Sequence, residues 1–151
     1  MARLFGDEVV CLVAKDHPAV RRGWDAGTWL AAEHIAPTPL HPGARGIIDQ
    51  MLDAQGVERN ITVRCAHFGL IPDMVASSLL VLTTGRQYCE RFTDRLPVKV
   101  LPCPIDFPRL MYYQLWHERT HASSSARWLR DRIKSVAASL RTPAGAAKDI
   151  H

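Results

Sequence analysis

Apolar runs in this chain are short and closely punctuated. Residues 8–14 are nearly all apolar or β-branched, the pattern of a strand buried on both faces in a sheet with helices on either side. His17-Pro18 ends that run, residues 24–32 form a short amphipathic piece, and His34-Ile35-Ala36 reads as a second brief strand. Pro37, Pro39 and Pro42 fall within six residues and forbid a helix or a central strand, so this stretch is a loop. Ile47, Ile48, Met51 and Leu52 then share one helical face opposite Asp49, Gln50 and Asp53. Gly56 stands where a C-cap glycine would, with Val57 as the apolar contact behind it.

The alternation continues. Residues 61–64 alternate as a strand, His67-Phe68-Gly69 opens a helix through Val75-Ala76, and residues 79–82 form another buried strand. A helix is predicted over 85–93, a short strand over 98–101 ahead of the loop at 102–108, and a longer strand over 110–116. Ser123, Ser124 and Ser125 offer N-caps for a last helix, with Ala126, Leu129, Ile133, Val136 and Leu140 on one stripe. Arg127, Arg130, Arg132 and Lys134 would form its solvated surface, and residues 142–151 read as a disordered tail. Strands alternating with helices predict an α/β fold with a mixed, mostly parallel sheet flanked by helices.

Composition narrows the chemistry. The net charge of +4 raises the possibility of nucleic acid, but the nineteen Lys and Arg are scattered and Arg21-Arg22 is their only adjacent pair. A DNA-binding footprint would cluster them on one helix or face. Cys11, Cys65, Cys89 and Cys103 lie far apart with no C-x-x-C pair, which argues against a disulfide or zinc framework. The longest apolar stretches are too short to cross a membrane, and the chain reads as cytoplasmic. His117 and His121 stand four apart, but that spacing ligates a metal only on a helix, and His117 ends a predicted strand. No G-x-S-x-G, phosphate loop or carboxylate–histidine constellation appears, so an enzyme is not expected and no cofactor is implied.

In order, the segments Gly6 to Pro18, Pro42 to Val57, Val63 to Gly69, Val75 to Thr84, Leu96 to Pro102, Tyr113-Gln114-Leu115-Trp116-His117 and Trp128-Leu129 resemble the C-terminal effector domain of LysR-type transcriptional regulators. The resemblance implies a type 2 periplasmic-binding-protein-like fold, with two α/β lobes joined by two crossing strands and a ligand between them. It implies that residues 1–119 are lobe two with both crossover strands, residues 8–15 being the first and 110–116 the second. Residues 120–141 would be a helix belonging to lobe one. The family's winged helix-turn-helix, its linker helix and the first half of lobe one have no counterpart here, so the chain reads as N-terminally truncated, and DNA would be reached only through that missing segment.

In such a cleft, polar groups on the facing loops and the N–H groups of helix starts hold the ligand. The resemblance places His41, Gly43 and Arg45 at one helix start and His67 with Phe68 at another, both suited to an anion. Thr83 and Thr84 at a strand end, and Thr38, complete the candidate set. Plainer roles stand beside these: His41 as an exposed turn residue, Phe68 as core, Thr84 as the cap of the next helix. The implied effector is an aromatic or other carboxylate. The implied partners are further copies of the chain or a full-length LysR-type regulator. Rival readings are a stand-alone interaction module pairing with full-length regulators and a non-functional remnant whose last helix keeps an uncovered apolar stripe.

Overall fold

Residues 1–140 are described by a computed structural model. They separate into two units, one spanning Glu8–Pro108 and the other joining Met1–Asp7 to the described residues from Arg109 onward.

The larger unit is built on a five-stranded sheet. Its strands are β2 (Val9–Ala14), β3 (His34–Pro37), β4 (Ile61–Cys65), β5 (Val81–Gly85) and β6 (Val98–Pro102), in spatial order β4-β3-β5-β2-β6. β3 runs parallel to both β4 and β5, while β2 is antiparallel to β5 and β6. The sheet is mixed, as expected, with parallel and antiparallel pairings in equal number. The parallel half is that of the strands joined by helices, since a parallel return needs a crossover. β2 sits between two neighbours with all six residues buried, which explains its unbroken apolar sequence.

Helices α1 (Pro18–Arg22) and α2 (Ala26–Ala31) follow β2, α3 (Ile47–Ala54) links β3 to β4, α4 (Ile71–Ala76) links β4 to β5, and α5 (Arg86–Glu90) follows β5. The β3→β4 and β4→β5 connections step in opposite directions across the sheet. Right-handed crossovers therefore put α3 and α4 on opposite faces. Val10, Leu12, Ile35, Leu82 and Val98 form the core with Ile71 and Val75 of α4 and Cys89 of α5. The other face carries Cys11 and Thr83 and meets Trp29 of α2, which is fully buried.

The signals that predicted the end of α3 are met in detail, whereas its faces differ from expectation: Asp49, placed on the polar side, is buried, and Ile47, placed on the apolar side, is 54 % exposed. The Gly56 N–H bonds the Asp53 carbonyl at 3.0 Å and the Val57 N–H bonds that of Leu52 at 3.0 Å, a Schellman closure made possible by Gly56 at φ 69°. Two predicted elements shift: the strand expected at 79–82 is β5, two residues later, and the helix expected over 85–93 is only the five residues of α5.

In the smaller unit, β1 (Ala2–Asp7) pairs antiparallel with β7 (Leu110–Gln114), with an irregularity between Arg3 and Phe5. This corrects the sequence-based assignment of residues 8–15 as the strand crossing beside 110–116: that strand is the interior of the five-stranded sheet, and the true partner of β7 lies just before it. Both strands are short, and only the pairing register distinguishes them. The long helix α6 (Ser124–Ser139) packs on β1, its first turn capped by Ser123, whose hydroxyl accepts the Ala126 N–H. Arg130 does not belong to a solvated surface. It is buried, donates to the Thr120 and His121 carbonyls at 3.2 and 2.8 Å, and lies over the Trp116 ring at 4.9 Å. The apolar stripe of α6 is largely exposed in turn, with Leu129 at 54 % and Val136 at 65 %. The tail expected at 142–151 lies outside the described residues.

Candidate functional site

Three neighbouring strands, β4, β3 and β5, run parallel, so their C-terminal ends open along one edge of the larger unit's sheet. Thr38 leaves the end of β3 and donates its N–H to the Cys65 carbonyl at the end of β4, 3.0 Å away. His67 lies two residues past β4, and Thr84 is the penultimate residue of β5. Each of α3, α4 and α5 starts from this edge, because a helix that follows a parallel strand must run back across the sheet. The fold thus gathers Thr38, His67 and Thr84 from three distant parts of the chain. In open α/β sheets this C-terminal edge is where ligands are held.

The remaining candidates differ in how free they are. His41 is exposed, and its carbonyl accepts the Ala44 N–H at 3.0 Å in a turn that Gly43 completes at φ 77°. Arg45 is committed to Asp53 through two hydrogen bonds, Nε at 3.0 Å and Nη2 at 2.7 Å. Its guanidinium would have to leave that carboxylate to meet an anion. The α3 helix starts at Gly46 without a side-chain cap. His67 precedes a 3-10 turn (Phe68–Leu70), and its exposed ring contrasts with its carbonyl, which accepts from Leu70 N–H at 3.0 Å.

Phe68 is half-buried and packs against the core. Its ring stacks on Tyr88 at 4.2 Å, and the Tyr88 hydroxyl donates to its carbonyl at 2.6 Å. Burial pushes the Tyr88 phenol up to about 12, so it remains a donor. Thr83 is buried, with its hydroxyl 3.4 Å from the Cys11 sulfur on one face of the sheet. Thr84 does not cap α5, whose N-cap is Gly85 with no side-chain bond.

Two polar groups that the sequence did not single out as buried lie within the larger unit. Asp49, in the first turn of α3, accepts from Arg59 Nε at 2.8 Å and Nη2 at 3.2 Å, and the two side chains are only 5 % and 3 % exposed. Burial would raise the Asp49 carboxyl, but the hydrogen bonds and charge of Arg59 outweigh it and hold the group below its ordinary value. His34, at the start of β3, is fully buried beside Trp29, and its Nε2 donates to the Trp29 carbonyl at 2.6 Å. Burial lowers its pKa to about 4, so the ring is neutral at physiological pH. An ion pair between a helix and the loop ten residues on has no periodic signature, and no sequence pattern marks it.

Two depressions accompany these features. One, of about 950 Å³, is bordered by His17, Trp24, Asp25 and Thr28, none of them a sequence candidate. Two of its polar groups are already engaged, His17 capping α1 and Asp25 capping α2. The other, of about 440 Å³ in the smaller unit, is lined by Arg3, Phe5, Gly6 and Arg109. Among the described residues no group of three or more His, Cys, Asp or Glu could hold a metal, and no helix is long and apolar enough to cross a membrane.

Residues 1–138 match the family model described as the LysR substrate binding domain. The fold is also similar to solved regulatory domains. A protein from Vibrio parahaemolyticus assigned as a transcriptional regulator aligns with a TM-score of 0.74 at 23 % identity, over 91 % of this chain and 64 % of that one. The effector binding domain of QuiR in complex with shikimate aligns at 0.71 and 15 % identity, over 93 % and 66 %. The regulatory domain of MexT, a transcriptional activator in Pseudomonas aeruginosa, aligns at 0.69 and 16 % identity, over 88 % and 65 %. This chain spans less than two thirds of the length of each. The architecture is the periplasmic-binding-protein-like one of LysR effector-binding domains.

Proposed function

This chain belongs to the LysR substrate binding domain family, and on that premise we propose that it senses a small anionic effector, an aromatic or other carboxylate. The convergence of Thr38, His67 and Thr84 on the C-terminal edge of the three parallel strands carries this reading. His67 is its centre: an exposed ring next to a helical start, able to donate to a carboxylate while N–H groups and the local dipole favour the negative charge. His41, Gly43 and Arg45 would close over the ligand from the loop before α3, Arg45 exchanging Asp53 for the effector. Ligand binding would then shift a population between two arrangements of the regulator, with DNA reached through a segment outside these residues.

Thermal unfolding in a carboxylate panel that begins with benzoate and shikimate tests the reading. A stabilising ligand should raise the midpoint, and His67→Ala should abolish that rise while leaving the unliganded midpoint nearly unchanged. A rise that persists in His67→Ala, or a panel in which no carboxylate raises the midpoint, refutes it.

The exposed apolar residues of α6, Trp128 at 62 % and Val136 at 65 %, favour a second reading, that this helix mediates pairing with another regulator chain. Sedimentation of the chain with and without residues after Thr120 separates the two: an unchanged size on truncation removes the pairing role.

A further inference from the structure

The depression of about 950 Å³ in the larger unit lies at the far end of the sheet from the candidate effector edge. β2 runs antiparallel to β5, so the residues just after β2 come to the end of the sheet where β3 and β5 begin. His17 follows β2 there, Glu33 precedes β3 and Leu79 precedes β5, and all three line the depression. The Val81 N–H donates to the Glu33 carbonyl at 2.9 Å and ties two of these segments together. Thr38, His67 and Thr84 belong to the opposite ends of the parallel strands.

The corner between α1 and α2 that walls this space is fixed at each joint. His17 caps α1 through Nδ1, which accepts the Ala19 N–H at 3.1 Å. Gly23 ends α1 with its N–H on the Ala19 carbonyl at 2.9 Å, and its φ of 67° turns the chain between Arg22 and Trp24. Asp25 then accepts both the N–H and the hydroxyl of Thr28, each at 2.8 Å. The Trp24 ring is held by its indole N–H, which donates to the Pro102 carbonyl at 3.0 Å, and by an edge contact with His17 at 6.0 Å. It is half-buried and stands in the wall with Pro18, Ala31 and Ala32, an apolar surface already in place for a ligand.

Three charged residues border the space, and only Asp25 is committed, to the start of α2. Arg22 and Glu33 are exposed, and among the described residues neither side chain has a hydrogen-bond or ion-pair partner, the other included. A simple anion drawn by Arg22 is opposed by Asp25 and Glu33, and a simple cation drawn by the two carboxylates is opposed by Arg22. A molecule that carries both charges meets both demands, and its apolar part can lie on Trp24. We propose that this depression binds an α-amino acid with an apolar side chain, its carboxylate on Arg22, its ammonium on Glu33 and its side chain against the Trp24 ring. The site is separate from the carboxylate site proposed above and does not depend on it.

The four tryptophans allow a direct test on the full chain. Indole N–H signals of the nitrogen-labelled protein are followed by NMR during titration with L-leucine, L-methionine and L-phenylalanine, and Trp24→Phe identifies the Trp24 signal by its loss. At least one of the three should move that signal saturably, ahead of the other three indoles. The deaminated acid and the decarboxylated amine of the amino acid that binds should each bind about fivefold more weakly, since each lacks one charged contact at an exposed site. Arg22→Gln should weaken the amino acid by about the same factor and leave its amine analogue unaffected, whereas Glu33→Gln should spare the acid analogue. Both side chains are exposed, so neither change disturbs the fold. His67→Ala should leave the titration as it was, because His67 stands at the other end of the sheet. A Trp24 signal that none of the three amino acids moves, an acid or amine analogue that binds as well as its amino acid, or a response that His67→Ala removes would overturn the proposal.

Discussion

Removing Arg59 should be among the most damaging single changes in the larger unit. Its side chain is 3 % exposed and that of Asp49 is 5 %, so neither charge falls back on water when the other is deleted. Two contacts at 2.8 and 3.2 Å place the charge centres about 4 Å apart, where the Coulomb attraction is about 4 kcal/mol at the effective dielectric of about 20 that suits such sites. Loss of one partner from a buried pair costs about 3–5 kcal/mol, in the same range. Arg59→Met keeps the aliphatic bulk and strands the Asp49 carboxylate, and a loss of about 3–4 kcal/mol should follow. In a chain of this size that lowers the midpoint by about 6–16 °C. Urea unfolding at neutral pH measures it. The double variant Arg59→Met with Asp49→Leu should cost much less than the sum of the single changes, because a matched pair is exchanged for matched apolar groups. A native-state Asp49 pKa below that of the unfolded chain means its stabilisation is complete above the unfolded carboxylate value. That stabilisation is lost as pH falls through the folded one. In Asp49→Leu that acid-side loss should be smaller. A cost under 1 kcal/mol for Arg59→Met, or full additivity in the double variant, would refute this account of the pair.

His34 should make the chain acid-sensitive over a different window. Its pKa falls from an ordinary value of about 6.5 to about 4 in the fold, so the unfolded chain binds the extra proton between those values. Stability should decline by about 2–3 kcal/mol as pH drops from 6.5 to 4. His34→Asn should flatten that slope in urea titrations at stepped pH, and an unchanged slope would mean the ring does not titrate with unfolding. Gly56→Ala tests the end of α3. No atom lies within 4 Å of the added Cβ, so its penalty comes only from the left-handed backbone and should be about 1 kcal/mol. Gly69→Ala, also in open space but without a positive φ, should cost less, and equal losses at both positions would discount the backbone explanation.

Much of the fold was legible in the chain because the deciding signals were local. The unbroken run at 9–14 marked a strand buried on both faces, and Gly56-Val57 marked the end of α3 by a closure that involves only six residues. Serines 123–125 marked the start of α6 for the same reason, and of the three it is Ser123 whose side chain reaches three residues ahead. The family resemblance drew on the order of such segments, and the match over residues 1–138 bears it out.

What the tertiary structure decided was whatever depends on register and on which face a side chain meets. Periodicity cannot tell whether residues 2–7 or 9–14 pair with 110–114, since both read as short strands and the partner is more than a hundred residues away. Arg130 looked like a surface cation among others until the turn at Thr120–His121 supplied two carbonyls and Trp116 a ring. Arg45 offered a cation at a helix start, yet Asp53, two turns along α3, already binds it. Phe68 was left between ligand and core, and it is Tyr88, twenty residues on, that its ring stacks against. A sequence states each residue's chemistry and its local geometry. Which charge finds a partner, and which ring a neighbour, is fixed only when segments distant in the chain are set side by side.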